Sequence, residues 1–294
     1  MSGVNSLYEN SLYLDLFSTL LDQTATATSP ARTELAPADP AVIRLDRVAF
    51  AYPGQDEHAL HEVDLTILRG QTVALVGENG SGKSTLAKLI TGLYRPSAGV
   101  VSWDGVDLAE VDVGSVRQRV GLVLQEPARW PMTARDNIRI GRLNRDDPLG
   151  EWLARAAAES GAAEVVQGLD RGLDTVLSRQ FEGGRDLSGG QWQRIGVARG
   201  LYRDAPLLVA DEPTAAMDAR AEQAVFASLR QMGDDRTTIL ITHRLANVRY
   251  ADQIVVLAGG RVVESGDHDA LVATGGEYAQ MLAIQAAAFG DSVV

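Results

Sequence analysis

The stretch Gly77-Glu78-Asn79-Gly80-Ser81-Gly82-Lys83-Ser84, followed by Thr85, fits the spacing G-x-x-x-x-G-K-[ST]. Glycines at these places let backbone N–H groups turn inward around a polyanion, where a Cβ would collide or forbid the dihedrals. A lysine closing such a loop reaches terminal phosphate oxygens, and the hydroxyl after it suits a hard divalent cation. A helix starting near Lys83 would add the positive end of its dipole. Only two of the 27 basic residues are lysines, Lys83 and Lys88, so one of the two falls in this loop. Further along, Leu207-Leu208-Val209-Ala210 is a short apolar run that ends in Asp211-Glu212. Two adjacent, partly buried carboxylates cost several kcal/mol unless a cation or hydrogen bonds compensate (about that much by general experience). Beside a phosphate loop, Asp211 is expected to hold Mg²⁺ and Glu212 to polarise an attacking water. Between the two motifs, Leu187-Ser188-Gly189-Gly190-Gln191 is a small-residue turn that opens a helix running to about Tyr202, a second anion-binding helix start.

The elements that must position these residues alternate between strand-like and helix-like segments, which predicts an α/β core over residues 41–288. Ile43, Leu45, Val48 and Phe50 mark a strand reaching Tyr52. Thr72–Val76, Gly121–Gln125, Leu207–Ala210, Thr238–Thr242 and Ile254–Leu257 read as buried strands, and Ser84–Leu93 as a helix. Between about Pro127 and Asp186 the pattern is helical and polar, which predicts a helical subdomain over about 127–190. Ahead of the core, residues 1–21 repeat Leu12, Leu16 and Leu20, and Tyr13, Phe17 and Leu21, at helical spacing. Residues 22–40 are rich in Thr, Ala and Pro and read as a linker. A helix over Gly276–Ala288 precedes a tail, 289–294.

Composition narrows the function. The 294 residues carry a net charge of −12 and no cysteine. An acidic total argues against nucleic acid as a partner, and thiolate chemistry is excluded. The longest charge-free stretch, Tyr278 to Gly290, falls short of the roughly 18 apolar residues a membrane span needs, and no secretory leader is expected. His58, His61 and His268 form no metal-binding spacing.

Leu187–Gln191 resembles the LSGGQ signature of ABC-type ATPases, in the expected order between the phosphate loop (Walker A) and the carboxylate pair (Walker B). The resemblance covers about residues 42–287. It implies a P-loop NTPase core with a mixed sheet, an antiparallel β subdomain on the N-terminal side and an inserted α-helical subdomain carrying the signature. It implies ATP and Mg²⁺ as cofactors. Tyr52 then corresponds to the aromatic that stacks on adenine. Gln125 corresponds to the Q-loop glutamine that meets Mg²⁺ and water, Asp218 to the D-loop, and His243 to the switch histidine at the γ-phosphate. Glu212, His243, Lys83 and Gln125 are the implied catalytic residues. Residues Gly77 to Thr85, Tyr52, Gln125, Ser188, Gly189, Gly190, Gln191 and Asp218 are the implied nucleotide contacts, and Ser84, Gln125 and Asp211 the metal contacts. Ala210 and Met217 depart from the usual residues without removing a functional group.

Thr133-Ala134-Arg135-Asp136-Asn137-Ile138 and Glu182-Gly183-Gly184-Arg185-Asp186 resemble exporter stretches. The first 21 residues resemble the end of an exporter's last transmembrane helix. The resemblance therefore implies a head-to-tail dimer with a second ABC ATPase domain and a transmembrane domain in cis or in trans, at the cytoplasmic face of the cell membrane. Importer-type and soluble non-transport ABC ATPases are the alternatives. Gln191-Trp192-Gln193 resembles peptide exporters, with lipid, drug or siderophore export left open.

Overall fold

The protein is described by a computed structural model over residues 32–231 and 236–290. Apolar residues alternate along β1 (Val42–Ala51), which buries Ile43, Leu45, Val48 and Phe50, and along β2 (His58–Leu68), which buries Leu60, Val63, Leu65 and Ile67. The two pair antiparallel, and the register slips between Leu45 and Val48. The chain then enters a second sheet as β3 (Thr72–Val76) and continues through the phosphate loop into α1 (Lys83–Ile90). It returns as β4 (Ala98–Trp103) and β5 (Val106–Asp107) to complete the first sheet, in the order β2-β1-β4-β5. Helix α2 (Val113–Gln118), capped by the Asp112 side chain on the Ser115 N–H, leads into β6 (Val120–Val123).

The helical insert follows: α3 (Ala134–Arg139), α4 (Glu151–Glu159), α5 (Ala162–Gln167) and α6 (Gly189–Arg203). The remainder is β7 (Leu207–Asp211), α7 (Ala219–Gln231), β8 (Thr237–Ile241), α8 (Leu245–Val248), β9 (Gln253–Ala258), β10 (Arg261–Gly266), α9 (His268–Thr274) and α10 (Glu277–Gly290). The second sheet runs β10-β9-β3-β8-β7-β6, parallel except for the antiparallel β10 edge. Its side chains divide with period two. Val73, Leu75, Leu207, Val209, Ile239, Ile241, Val255 and Leu257 face the first sheet and α1. Ala74, Val76, Leu208, Ala210, Leu240, Ile254 and Val256 face the helices, with Trp192, Ile195 and Tyr202 of α6. This is an α/β fold with a mixed sheet, an antiparallel sheet on the N-terminal side and a helical insert between β6 and β7.

Several boundaries differ from the sequence reading. Two strands were not expected: β2, which buries Val63, Leu65 and Ile67 in alternation after a left-handed Glu62 (φ 47°), and β10, which buries no residue along its length. Gln125 lies two residues beyond β6, not at its end. Strand β6 is a sheet edge whose last partner is Ala210, so nothing pairs with the chain past Val123. The residues expected as a linker are tied down from Arg32 onward. Arg32 meets Glu110, the Asp112 N–H donates to Glu34 O, and the Ala36 N–H donates to Ser115 Oγ (2.8 Å). The expected helix over 1–21 and residues 291–294 of the tail lie outside the described residues.

Helix α6 lies close to β6 because its inner face carries Gly196 and Gly200, one turn apart. A Cβ on Gly200 would stand 2.5 Å from Val123 Cγ2, and one on Gly196 would stand 2.6 Å from Pro127 Cβ. Replacing Gly200 by valine is therefore expected to destabilise the chain by about 1–3 kcal/mol, the usual range for overpacking. Denaturant titration checks this, and an unchanged or raised midpoint would refute the close approach.

Candidate active site

Three parallel neighbours, β3, β8 and β7, end along one sheet edge and release the functional loops there. After β3, Gly77 has φ 141°, and a Cβ on it would sit 2.1 Å from Leu257 O of β9. No other residue fits that turn. Lys83, buried to 6 % exposure, folds back so that Nζ donates to Gly77 O (2.8 Å) and Glu78 O (2.7 Å). Burial lowers the Lys83 ammonium below the ordinary lysine value, and the negative charges of Glu212 and Asp211 oppose that shift.

At the end of β7, the Ser84 hydroxyl donates to Asp211 Oδ2 (3.2 Å). Burial raises the Asp211 carboxyl above the usual carboxylate range. The Ser84 bond and the charges of Lys88, Lys83 and His243 pull the other way. Glu212 turns out of the strand with φ 44°, a left-handed conformation rare for a side chain of this size. It is held there by its N–H on Ile241 O (2.8 Å). Strain of this kind persists where the surroundings over-determine it, often at functional sites. The Glu212 carboxylate lies between two side chains: His243 Nε2 is 2.9 Å from Oε1, and Gln125 Nε2 donates to Oε2 (3.0 Å). Five of the expected residues, Ser84, Gln125, Asp211, Glu212 and His243, thus converge although Ser84 and His243 lie far apart in the chain.

Tyr52, Asn79, Gly80, Gly82, Lys83, Ser84, Thr85, Gln125, Asp211, Glu212 and His243 line one cleft of about 350 Å³. Glu78 and Ser81 line an adjoining cleft of about 290 Å³ with Asn79 and Gly80. The Tyr52 hydroxyl shares a hydrogen bond with Thr85 Oγ1 (2.8 Å), and its ring packs edge-on against Phe50 and Tyr94. Gln125, expected also as a metal contact, donates from its amide nitrogen to Glu212, which leaves its amide oxygen as the atom that would meet a cation. His58 and His61 sit side by side on β2, and the described residues contain no group of three or more His, Cys, Asp or Glu able to hold a metal ion. A cation at Ser84 and Asp211 would therefore draw its remaining ligands from phosphate oxygens and water, the coordination Mg²⁺ favours.

The signature residues stand apart. Ser188, Gly189, Gly190, Gln191 and Asp218 line a different cleft of about 720 Å³ that shares no residue with the phosphate-loop cleft. Ser188 Oγ accepts from the Gln191 N–H (3.3 Å) and Gln191 Oε1 accepts from the Ser188 N–H (2.9 Å), so the two cap α6 reciprocally. A Cβ on Gly190 would come within 2.7 Å of Ala216 O, which presses the D-loop against the signature. The Asp218 carboxylate caps α7 through the Ala221 N–H (2.9 Å), and that bond holds its carboxyl below the ordinary value.

Sequence reasoning missed Gln193. It is 2 % exposed and its Nε2 donates to Leu124 O (3.3 Å) and Glu212 O (3.4 Å), which ties the segment before Gln125 to the carboxylate pair. The available signal was a polar residue on the same helix face as Gly196 and Gly200. It also missed Glu222, buried on α7, which receives bonds from Thr214, Arg244 and Asn247.

The family pattern described as ABC transporter matches residues 60–215. The chain is 44 % identical over 249 residues to an ATP-dependent lipid A-core flippase of Chromobacterium violaceum, covering 85 % of this chain and 42 % of that protein. It is 43 % identical over 265 residues to the cyclolysin secretion/processing ATP-binding protein CyaB of Bordetella pertussis, covering 88 % of this chain and 36 % of the relative. Among solved structures, a bacterial Atm1-family ABC exporter with ATP bound superposes with a TM-score of 0.79 at 35 % identity, over 88 % of this chain and 44 % of that one. The chain thus spans about two fifths of the length of these relatives. With the Walker A loop, the Asp211–Glu212 pair and the capped signature turn on this fold, the chain belongs to the ABC transporter family, as an exporter-type nucleotide-binding ATPase domain.

Proposed function

We propose that this chain hydrolyses ATP at a composite site formed with a second copy, and that the cycle drives export through a transmembrane domain in the same or a separate polypeptide. The observation that carries this reading is the separation of the two clefts. One chain holds the phosphate loop with its carboxylates and also a signature turn, with no residue in common, so a head-to-tail pair would bring the two kinds of half together. In that pair, Lys83 and the loop amides bind the phosphates, and Ser188 to Gly190 of the other copy close over them. Tyr52 borders the cleft where an adenine would stack. Glu212 accepts the proton of the attacking water, and His243 and Gln125 hold its carboxylate in line. Mg²⁺ held by Ser84 and Asp211 would supply charge neutralisation at the phosphates.

The segment from Leu122 to Trp130 supports the membrane partner. Leu122, Leu124 and Trp130 are exposed beside Gln125, where a docking element would bear on the catalytic side chains. The resemblance to exporters supports a position at the cytoplasmic face of the membrane. Cargo is a different matter. The two relatives named above carry the names of different cargoes at nearly equal identity. Gln191, Trp192 and Gln193 do internal work as a cap, a core residue buried to 1 % exposure and a loop tie. The residues that resemble peptide exporters are therefore accounted for by internal contacts, and selection of cargo is assigned to the membrane domain.

Replacing Glu212 by glutamine is expected to lower kcat by roughly 10²–10⁴, the span of a positioned acid–base group, while ATP binding survives. Normal turnover in steady-state assays would remove Glu212 from this role. Mixing Lys83→Ala chains with Ser188→Arg chains should restore activity, because each heterodimer keeps one intact composite site; no rescue counts against the head-to-tail arrangement. Asp211→Asn should raise the melting temperature at neutral pH. The folded-state pKa of Asp211 is raised, so its ionised form costs stability above that pKa and the cost fades as pH falls. The gain should vanish below about pH 4, the ordinary aspartate range. Thermal melts across pH test this, and a variant that melts lower than the parent at pH 8 contradicts it.

A further inference from the structure

The segment from His243 to Asn247 is held by two helices that contribute no side chain to the cleft lined by Lys83, Glu212 and His243. On one side, Glu222 of α7 receives Arg244 Nη1 and Asn247 Nδ2. On the other, Gln285 of α10 makes a two-point contact: its Oε1 accepts from the Leu245 N–H (3.0 Å) and its Nε2 donates to the His243 carbonyl. The need for such a contact is visible locally. The first N–H groups of a helix have no partner within it, and the cap of α8 is Arg244, which carries no acceptor and makes no capping bond. An amide reaching in from another helix supplies the missing acceptor, and its NH₂ group fixes the peptide that follows His243.

Helix α10 is well placed to hold that amide still. At its start, the Glu277 and Tyr278 N–H groups donate to the Glu264 carboxylate of β10 (2.6 and 3.0 Å), and Tyr278 is fully buried with its hydroxyl on His268 Nδ1 (2.8 Å). Met281 and Leu282 pack on the same core cluster as Leu245 and Val248. Glu277 also borders the cleft beside Asn79 and Gly80, so this helix touches the surroundings of the phosphate loop at one end and of His243 at the other.

We infer that Gln285 is a positioning residue: by clamping the His243 carbonyl and the Leu245 amide it sets the direction in which the imidazole leaves β8, and so its 2.9 Å approach to Glu212. The inference rests on the role proposed above for His243, and its test separates the two. Gln285→Met keeps the length and packing of the side chain and removes both bonds. In the full chain it should lower kcat about tenfold or more, as small displacements of catalytic groups do, with KM for ATP unchanged and the melting temperature lowered by a few degrees at most (roughly what one unpaired N–H costs). In long-range ¹H–¹⁵N spectra the His243 imidazole, assigned by its loss in His243→Gln, should shift, while His58, His61 and His268 stay in place. An unchanged kcat, an unmoved His243 signal, or a general shift of all four histidines with a lower melting temperature would each overturn the inference. If the methionine variant does not fold, Gln285→Glu, which keeps the acceptor for Leu245 but turns an oxygen to the His243 carbonyl, is read by the same measurements. Full activity in His243→Gln would instead refute the role of His243, whatever the Gln285 spectra show.

Discussion

The ladder of parallel hydrogen bonds between β3, β8 and β7 fixes everything that happens at their ends. Thr72 to Leu75 pair in step with Thr238 to Ile241, and Leu207 to Asp211 pair in step with Thr237 to Ile241. A shift of one residue in either pairing would move apolar side chains between the two faces, exchanging partners in both core clusters. Because both faces are buried, that shift is strongly opposed, and the strand ends are locked in register. Lys83, Asp211, Glu212 and His243 inherit this precision. Their loops are short, so little freedom remains between the last paired residue and the side chain that matters.

Around this edge the remaining parts act as a frame. The antiparallel sheet covers one face and brings Tyr52 to the rim. The helical insert covers the other and carries the signature turn away from the phosphate loop. Two glycines let α6 approach β6, and Gln193 then reaches both the segment before Gln125 and the backbone of Glu212. The backbone of Glu212 is therefore tied, within one chain, to the helix that presents the signature.

Legibility in the sequence followed the range of the interaction. The phosphate loop, the Asp211–Glu212 pair and the signature could be read because each packs its chemistry into a few consecutive residues. Buried strands with both faces apolar, such as β3 and β7, could also be read. Strand β2 was overlooked although Val63, Leu65 and Ile67 alternate along it, and β10 could not be read, since it is an edge with no buried face. Gln285 and Gln193 were invisible for a different reason. Each acts through backbone atoms distant in sequence, and a glutamine in a helix carries no local mark of the carbonyl it will reach. The pairing of the Gln125 amide nitrogen with Glu212 was equally illegible, because it depends on the turn after β6.

The reciprocal cap between Ser188 and Gln191 has a consequence for association. A hydroxyl offers two acceptor sites and one proton. Capping uses Ser188 Oγ as an acceptor from the Gln191 N–H, so its own proton is still free to be given to an anion arriving from outside. Recognition of a phosphate by this serine does not compete with the bond that keeps the first turn of α6 wound. The helix therefore need not fray when an anion binds or re-form when it leaves.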